Sequence, residues 1–221
     1  MPQRPFTFDG QVTKPVSLKY LLHLPAAYSD AGDPWPVILF LHGAGERGNN
    51  LNLVKKHGIP KVAALRKDFP FIAISPQCPK HSWWMLQLDA LTALLDDVLA
   101  RHNADASRVY LTGLSMGGNG TWALAMQHPD RFAAIAPVCG HDLFLLGLPD
   151  NARVLRKMPV WAFHGARDWV VPIAGTAEAV KALQGLGGEA RFTVYPLADH
   201  DSWTETYNNP ELYEWLLGHR R

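Results

Sequence analysis

Three residues of this 221-residue chain have the types needed to cleave an acyl bond, Ser115, Asp168 and His200. Ser115 is the centre of Gly113-Leu114-Ser115-Met116-Gly117, which fits G-x-S-x-G. A serine hydroxyl is too weakly acidic to attack a carbonyl alone, so a base must take its proton. His200 can be that base. Asp168 can hold the imidazole in the right tautomer and stabilise its charged form. The pattern by itself recurs in ordinary glycine-rich turns, and its context is what gives it weight. Val109 to Thr112 is a β-branched and aromatic run that predicts a buried strand. Asn119 to Gln127 can be helical, until His128-Pro129 stops it. Between strand and helix, glycines two positions either side of the serine clear a sharp turn of Cβ clashes. The N–H of Met116 then points toward the same spot as the serine oxygen, from a helix N-terminus.

Other residues compete for these roles. His141 and His164 come before or beside the acid in the chain, whereas His200 follows it. Asp199 and Asp201 are sequence neighbours of His200 and would struggle to reach its far nitrogen. His42 is read as shaping its loop, and Glu46 with Arg47 as a local ion pair.

The elements that must position these groups can be read in order. Phe6-Thr7-Phe8 and Ser17 to Leu24 predict two early strands. Pro36 to Leu41 is a continuous apolar run, the mark of a strand buried on both faces. A helix is predicted over Leu53 to Arg66, irregular at Gly58 and Pro60. Phe71 to Ser75 is another buried strand. Leu88, Leu91, Leu95, Val98 and Leu99 follow helical spacing. Strands at Phe132 to Val138, Met158 to Phe163 and Arg191 to Tyr195 follow the serine helix. Helices are expected at Ala174 to Leu186, closed by Gly187-Gly188, and at Pro210 to Gly218. Strands alternating with helices through short loops imply one domain over residues 1–221. It is built on a mostly parallel, doubly wound α/β sheet with helices on both faces. In such sheets the ligand site lies at the carboxyl ends of the strands, which is where Gly43-Ala44, Ser115, Asp168 and His200 all fall.

Composition narrows the function. A net charge of +1 with no charged block argues against nucleic acid or anionic membrane as a partner. No apolar run reaches transmembrane length, and no signal-peptide core follows Met1, so a cytoplasmic location is expected. Cys78 and Cys139 follow strands placed three positions apart, about 14 Å at ~4.8 Å per strand, and are read as free thiols. No residue cluster has metal-ligand spacing and no glycine-rich loop suits a dinucleotide. The expectation is therefore no metal and no cofactor.

Taken together, several segments resemble the α/β-hydrolase superfamily. Within it, the chain is similar to the lidless serine esterases of the dienelactone hydrolase and phospholipase/carboxylesterase-like group. The segments are Leu41 to Gly48, Ser75 to Pro79, Gly113 to Gly118, His164 to Asp168 with Val171-Pro172, and Asp199 to Trp203. The nucleophile position holds Ser, where dienelactone hydrolases proper have Cys. The resemblance implies a carboxylesterase with Ser115 as nucleophile, His200 as base and Asp168 as orienting acid. The N–H groups of Ala44 and Met116 would form the oxyanion hole. Trp84 and Trp203 are expected to wall a shallow site, with Leu143 at its rim, since Gly140 to Lys157 is too short for a separate lid domain. The expected substrate is a small ester with a short acyl chain or an aryl group. Lysophospholipase or acyl thioesterase activity is the alternative, a peptidase is less favoured, and a catalytically silent hydrolase-fold binding module stands as a different class. The sequence leaves monomer or dimer open.

Overall fold

The computed structural model describes residues 4–10, 13–140, 147 and 151–221. Its centre is strand β2 (Trp35–Leu41), in which every residue from Pro36 onward is buried. Side chains alternate across a strand, so this one run feeds two cores. Val37, Leu39 and Leu41 pack on one face with Leu91, Leu95, Val98 and Trp122. Ile38 and Phe40 pack on the other with Ile59, Tyr207, Leu212 and Trp215. Coverage on both faces is why the run shows no polar alternation.

Seven strands form one sheet in the order β1-β3-β2-β4-β5-β6-β7. The others are β1 (Lys19–His23), β3 (Ile72–Gln77), β4 (Ala104–Leu114), β5 (Ala134–Val138), β6 (Val160–Gly165) and β7 (Ala190–Tyr195). Only β1 runs antiparallel, pairing Lys19 with Gln77 and His23 with Ala73. The rest are parallel, and their registers bring the carboxyl ends to one edge. Leu41 lies beside Gly113, Leu114 beside Val138, Val138 beside Phe163, and Gly165 beside Tyr195. Helices α2 (Leu88–Arg101), α3 (Met116–Gln127) and α4 (Ile173–Gly185) cover one face. Helices α1 (Gly58–Leu65), α5 (Trp203–Asn208) and α6 (Pro210–Leu217) cover the other.

The sequence expectations need three corrections. Phe6-Thr7-Phe8 forms no strand, and Phe6 and Phe8 are 90% and 92% exposed. Three residues beside Pro5 and Gly10 offer too few ladder bonds to offset their ordering entropy. Strand β4 begins at Ala104, five residues before the apolar run. Its first residues are polar, yet Ala104 pairs with Trp35 across a register shift. Helix α5, directly after His200, was not foreseen, although Ser202-x-x-Glu205 has the capping-box pattern. In the structure Asp201 caps it instead, accepting from Thr204 N at 2.9 Å and Thr204 Oγ1 at 2.9 Å. Among the described residues, no helix is long and apolar enough to cross a membrane. Both cysteines are buried and free.

Candidate active site

Ser115 links β4 to α3 with φ 53° and ψ −118°. A non-glycine residue rarely adopts such a backbone, and the surrounding packing must impose it. Here the neighbours are glycines because nothing larger fits. A Cβ on Gly113 or Gly117 would collide with backbone, at Gly117's own carbonyl and at Leu41's respectively, and one on Gly118 would meet the carbonyl of Val138. The turn therefore presses against the ends of β2 and β5, and the serine N–H donates to Val138 O at 2.9 Å. Met116 N is the first amide of α3, where no intrahelical carbonyl is available to it.

A second corner forms where β2 ends. The buried His42 ring has Nδ1 2.6 Å from Gly43 O, and its Nε2 accepts from Cys78 N–H at 3.0 Å. A carbonyl on one side and an amide on the other fix the neutral Nδ1–H tautomer. Trp84 Nε1–H donates to His42 O at 2.9 Å. His42 thus shapes the Gly43-Ala44 loop, as expected. Burial is the main reason its pKa is pushed down to about 4. In the unfolded chain a histidine takes its proton near pH ~6.5. Between there and pH 4 the unfolded state binds a proton that the fold refuses, so stability falls as pH falls through this window. The expected loss by pH 4 is about 3 kcal/mol from this residue. Urea midpoints at pH 7, 5.5 and 4 measure it, and His42→Gln should flatten the slope.

Three strand ends meet at the sheet edge. His200, after β7, has Nε2 2.9 Å from Ser115 Oγ and Nδ1 2.7 Å from Asp168 Oδ2. Asp168, after β6, is buried, and its Oδ1 accepts from Val170 N at 3.0 Å and Val171 N at 2.8 Å. These local amides hold the carboxylate with one oxygen turned to His200. Asp199 caps its own turn through Asp201 N at 3.1 Å, and Asp201 is occupied with Thr204. The structure thus brings Ser115, His200 and Asp168 into one hydrogen-bonded chain, whose His200 end is anchored from behind. Buried Tyr207 of α5 lies 2.9 Å from Thr112 Oγ1, which gives its own proton to Ala136 O at 2.5 Å. Tyr207 O–H must therefore donate, tying the helix after His200 to the strand before Ser115. Such an array can pass the serine proton to imidazole as the oxygen attacks a carbonyl.

Other expectations fare differently. Trp84 walls nothing, because it is wholly buried under the loop with its indole committed to His42. Glu46 and Arg47 do not pair. Adjacent side chains diverge. Glu46 turns inward, 4.0 Å from His42 Nδ1. Arg47 turns outward over Trp83, 4.7 Å from the ring centroid, and donates to Ala44 O at 3.0 Å. Trp203 is half-buried, and its ring stands edge-on to His200 at 5.2 Å and to His57 at 5.6 Å. It lines a cavity of about 120 Å³ between α1 and α5. Trp169 beside Asp168 is 82% exposed. Leu143 lies outside the described residues. Cys139, Asp168 and His200 place possible ligand atoms within 4.8 Å of one another. Two of these three are already bonded to each other in the chain just described. Sequence reading took Cys139 only as a free thiol; its φ of 39° makes it the other strained non-glycine backbone among the described residues.

Comparison with known proteins identifies the family and the fold. The family model described as phospholipase/carboxylesterase matches residues 69–209. NocK of Nocardia uniformis subsp. tsuyamanensis, which carries an esterase name, is 28% identical over 180 residues, 77% of this chain and 51% of that protein. Feruloyl esterase B of Neurospora crassa is 32% identical over 117 residues, 47% of this chain and 38% of that one. The solved structure of a thermostable esterase superposes with a TM-score of 0.79 at 32% identity, covering 93% of this chain and 60% of that chain. The chain thus spans about half the length, or less, of these curated relatives. An acetyl xylan esterase from Aspergillus awamori, 15% identical with a TM-score of 0.69, shares the α/β-hydrolase fold.

Proposed function

The chain belongs to the phospholipase/carboxylesterase family of α/β-hydrolases, and we propose that it is a carboxylic ester hydrolase that cleaves short-chain or aryl esters through an acyl-enzyme on Ser115. The single observation that carries the reading is His200 bridging Ser115 Oγ at 2.9 Å and Asp168 at 2.7 Å. Ser115 Oγ attacks the ester carbonyl as His200 Nε2 takes its proton. The carbonyl oxygen becomes an oxyanion, received by the N–H groups of Met116 and Ala44, and one such donor is typically worth ~2.7–4 kcal/mol. The imidazolium is held by Asp168 and returns the proton to the departing alkoxide, leaving the acyl group on Ser115. Water, deprotonated by the same nitrogen, then attacks the acyl-enzyme. The tetrahedral intermediate collapses, the acid leaves, and the His200 imidazolium gives the proton it took from water to the serine oxygen. No cofactor enters any of these steps.

The short preference rests on the length from Gly140 to Lys157, too few residues for a separate lid domain over a long acyl tail, and each methylene left in water forgoes ~0.8 kcal/mol. Aryl esters are favoured because the half-buried Trp203 ring stands 5.2 Å from the His200 ring, within aromatic contact range of a ring bound there, and the feruloyl esterase relative supports this. With p-nitrophenyl esters, kcat/KM should peak at about two to six carbons and fall by ten or twelve, since added methylenes find no buried surface. A profile climbing to palmitate would transfer the site to long acyl chains, and with it the assignment to lysophospholipid or thioester hydrolysis.

A further inference from the structure

Asp168 has a second imidazole behind it. His164 lies on β6 with its side chain fully buried. Its Nε2 is 2.9 Å from Val171 O and 3.2 Å from Asp168 Oδ2, the oxygen that also takes the His200 proton. A peptide carbonyl and an ionised carboxylate both lack a proton, so a lone pair on Nε2 would face two other lone pairs. Nε2 must therefore carry the hydrogen. Nδ1 faces Thr176 Oγ1 at 3.0 Å, a hydroxyl that can donate to the ring or to Gly140 O at 2.9 Å. Neither choice alters the assignment at Nε2. Burial pulls the His164 pKa down, which favours the neutral ring and so a hydroxyl donating to Nδ1.

We infer that His164, as the Nε2–H tautomer, is a positioning residue: its N–H bonds Val171 O, whose own amide holds Asp168 Oδ1, and its Nε2 stands 3.2 Å from Oδ2, so it fixes the carboxylate that orients the His200 ring. This rests on the roles proposed above for Ser115, His200 and Asp168. Two amides meet Oδ1, and Oδ2 accepts from His200 Nδ1 with His164 Nε2 a further 3.2 Å away on its other side. It cannot rotate away from His200 without breaking a buried charge-assisted bond. The titratable groups around the pair are His200, from the loop after β7, and Cys139, from the end of β5. Removing the His164 N–H loosens the Val171 peptide that holds Oδ1 and takes a positive dipole away from Oδ2. The carboxylate then orients the His200 ring less firmly, which slows the proton transfer, and it takes up a proton more readily itself. The second change pushes the acid limb of the rate profile to higher pH.

The test compares His164→Phe, which keeps a ring and loses the donor, with His164→Gln, whose amide can place an N–H near the lost one. His164→Phe should lower kcat roughly 10–100-fold, the range for a hydrogen bond to a charged group. KM should stay within about twofold, since the donor acts on the transition state. The acid limb of kcat/KM should rise by about half a pH unit to one unit. His164→Gln should recover most of the rate and the original limb. Equal losses in both variants with an unmoved limb would reduce His164 to packing and overturn the inference. Should His164→Phe fail to fold, ¹⁵N spectra of the parent enzyme's histidines decide. They should show His164 as the Nε2–H tautomer, not titrating in step with His200, whereas an Nδ1–H tautomer would overturn the inference. That spectrum needs no turnover, so it stays informative even if Ser115→Ala were to keep its activity and the proposed roles fell.

Discussion

Ser115→Ala is expected to fold like the parent and to lose kcat on the order of 10⁶, leaving only what the oxyanion donors and binding provide. The substitution removes one oxygen from a position already paid for in backbone strain. Ser115 sits at φ 53°, held by glycines that cannot be enlarged and by its N–H bond to Val138 O. Alanine tolerates that backbone no worse than serine, so thermal unfolding should be nearly unchanged. A p-nitrophenyl acetate assay beside a melting curve reads both. Turnover within tenfold of the parent would take the nucleophile away from Ser115.

Asp168→Asn should cost on the order of 10⁴ in kcat, by analogy with the matching change in serine proteases. The geometry gives the reason. The amide can turn its oxygen or its NH₂ toward His200 Nδ1, but Oδ1 already accepts from two backbone amides. The asparagine oxygen is drawn to those donors, and its NH₂ is left facing His200. The imidazole then moves its proton to Nε2 and can no longer accept from Ser115 Oγ, 2.9 Å away. Asp199→Asn serves as the control, because Asp199 is turned to Asp201 N. Near-normal activity in Asp168→Asn with loss in Asp199→Asn would reverse the assignment of the acid.

Much of this was legible in the sequence, for physical reasons that differ by residue. Pro36 to Leu41 announced a strand covered on both faces because every residue in it is apolar. Ser115 was legible because close packing of backbone on backbone leaves glycine as the sole choice at 113 and 117. Asp168 and His200 were legible through chain order and their places after strands. What escaped depends on contacts between residues distant in the chain. Trp84 looks like any aromatic at a strand end, and only the fold shows its indole buried against His42 O, 42 residues away. The ion pair expected of Glu46 and Arg47 was a neighbour argument, and burial of one partner overrides it. Helix α5 is six residues long, too short for a periodic signal. His164 was set aside as a base on chain order, and its approach to Asp168 from behind is visible only in three dimensions.

The account stands most directly on covalent labelling of Ser115. Intact-mass spectrometry after a fluorophosphonate probe should show one adduct, with peptide mapping placing it on the Gly113 to Gly117 segment at Ser115. Ser115→Ala should take up no label, and His200→Ala should label far more slowly because the proton acceptor is gone. An adduct that persists in Ser115→Ala, or that maps to another residue, would contradict the proposed acyl-enzyme.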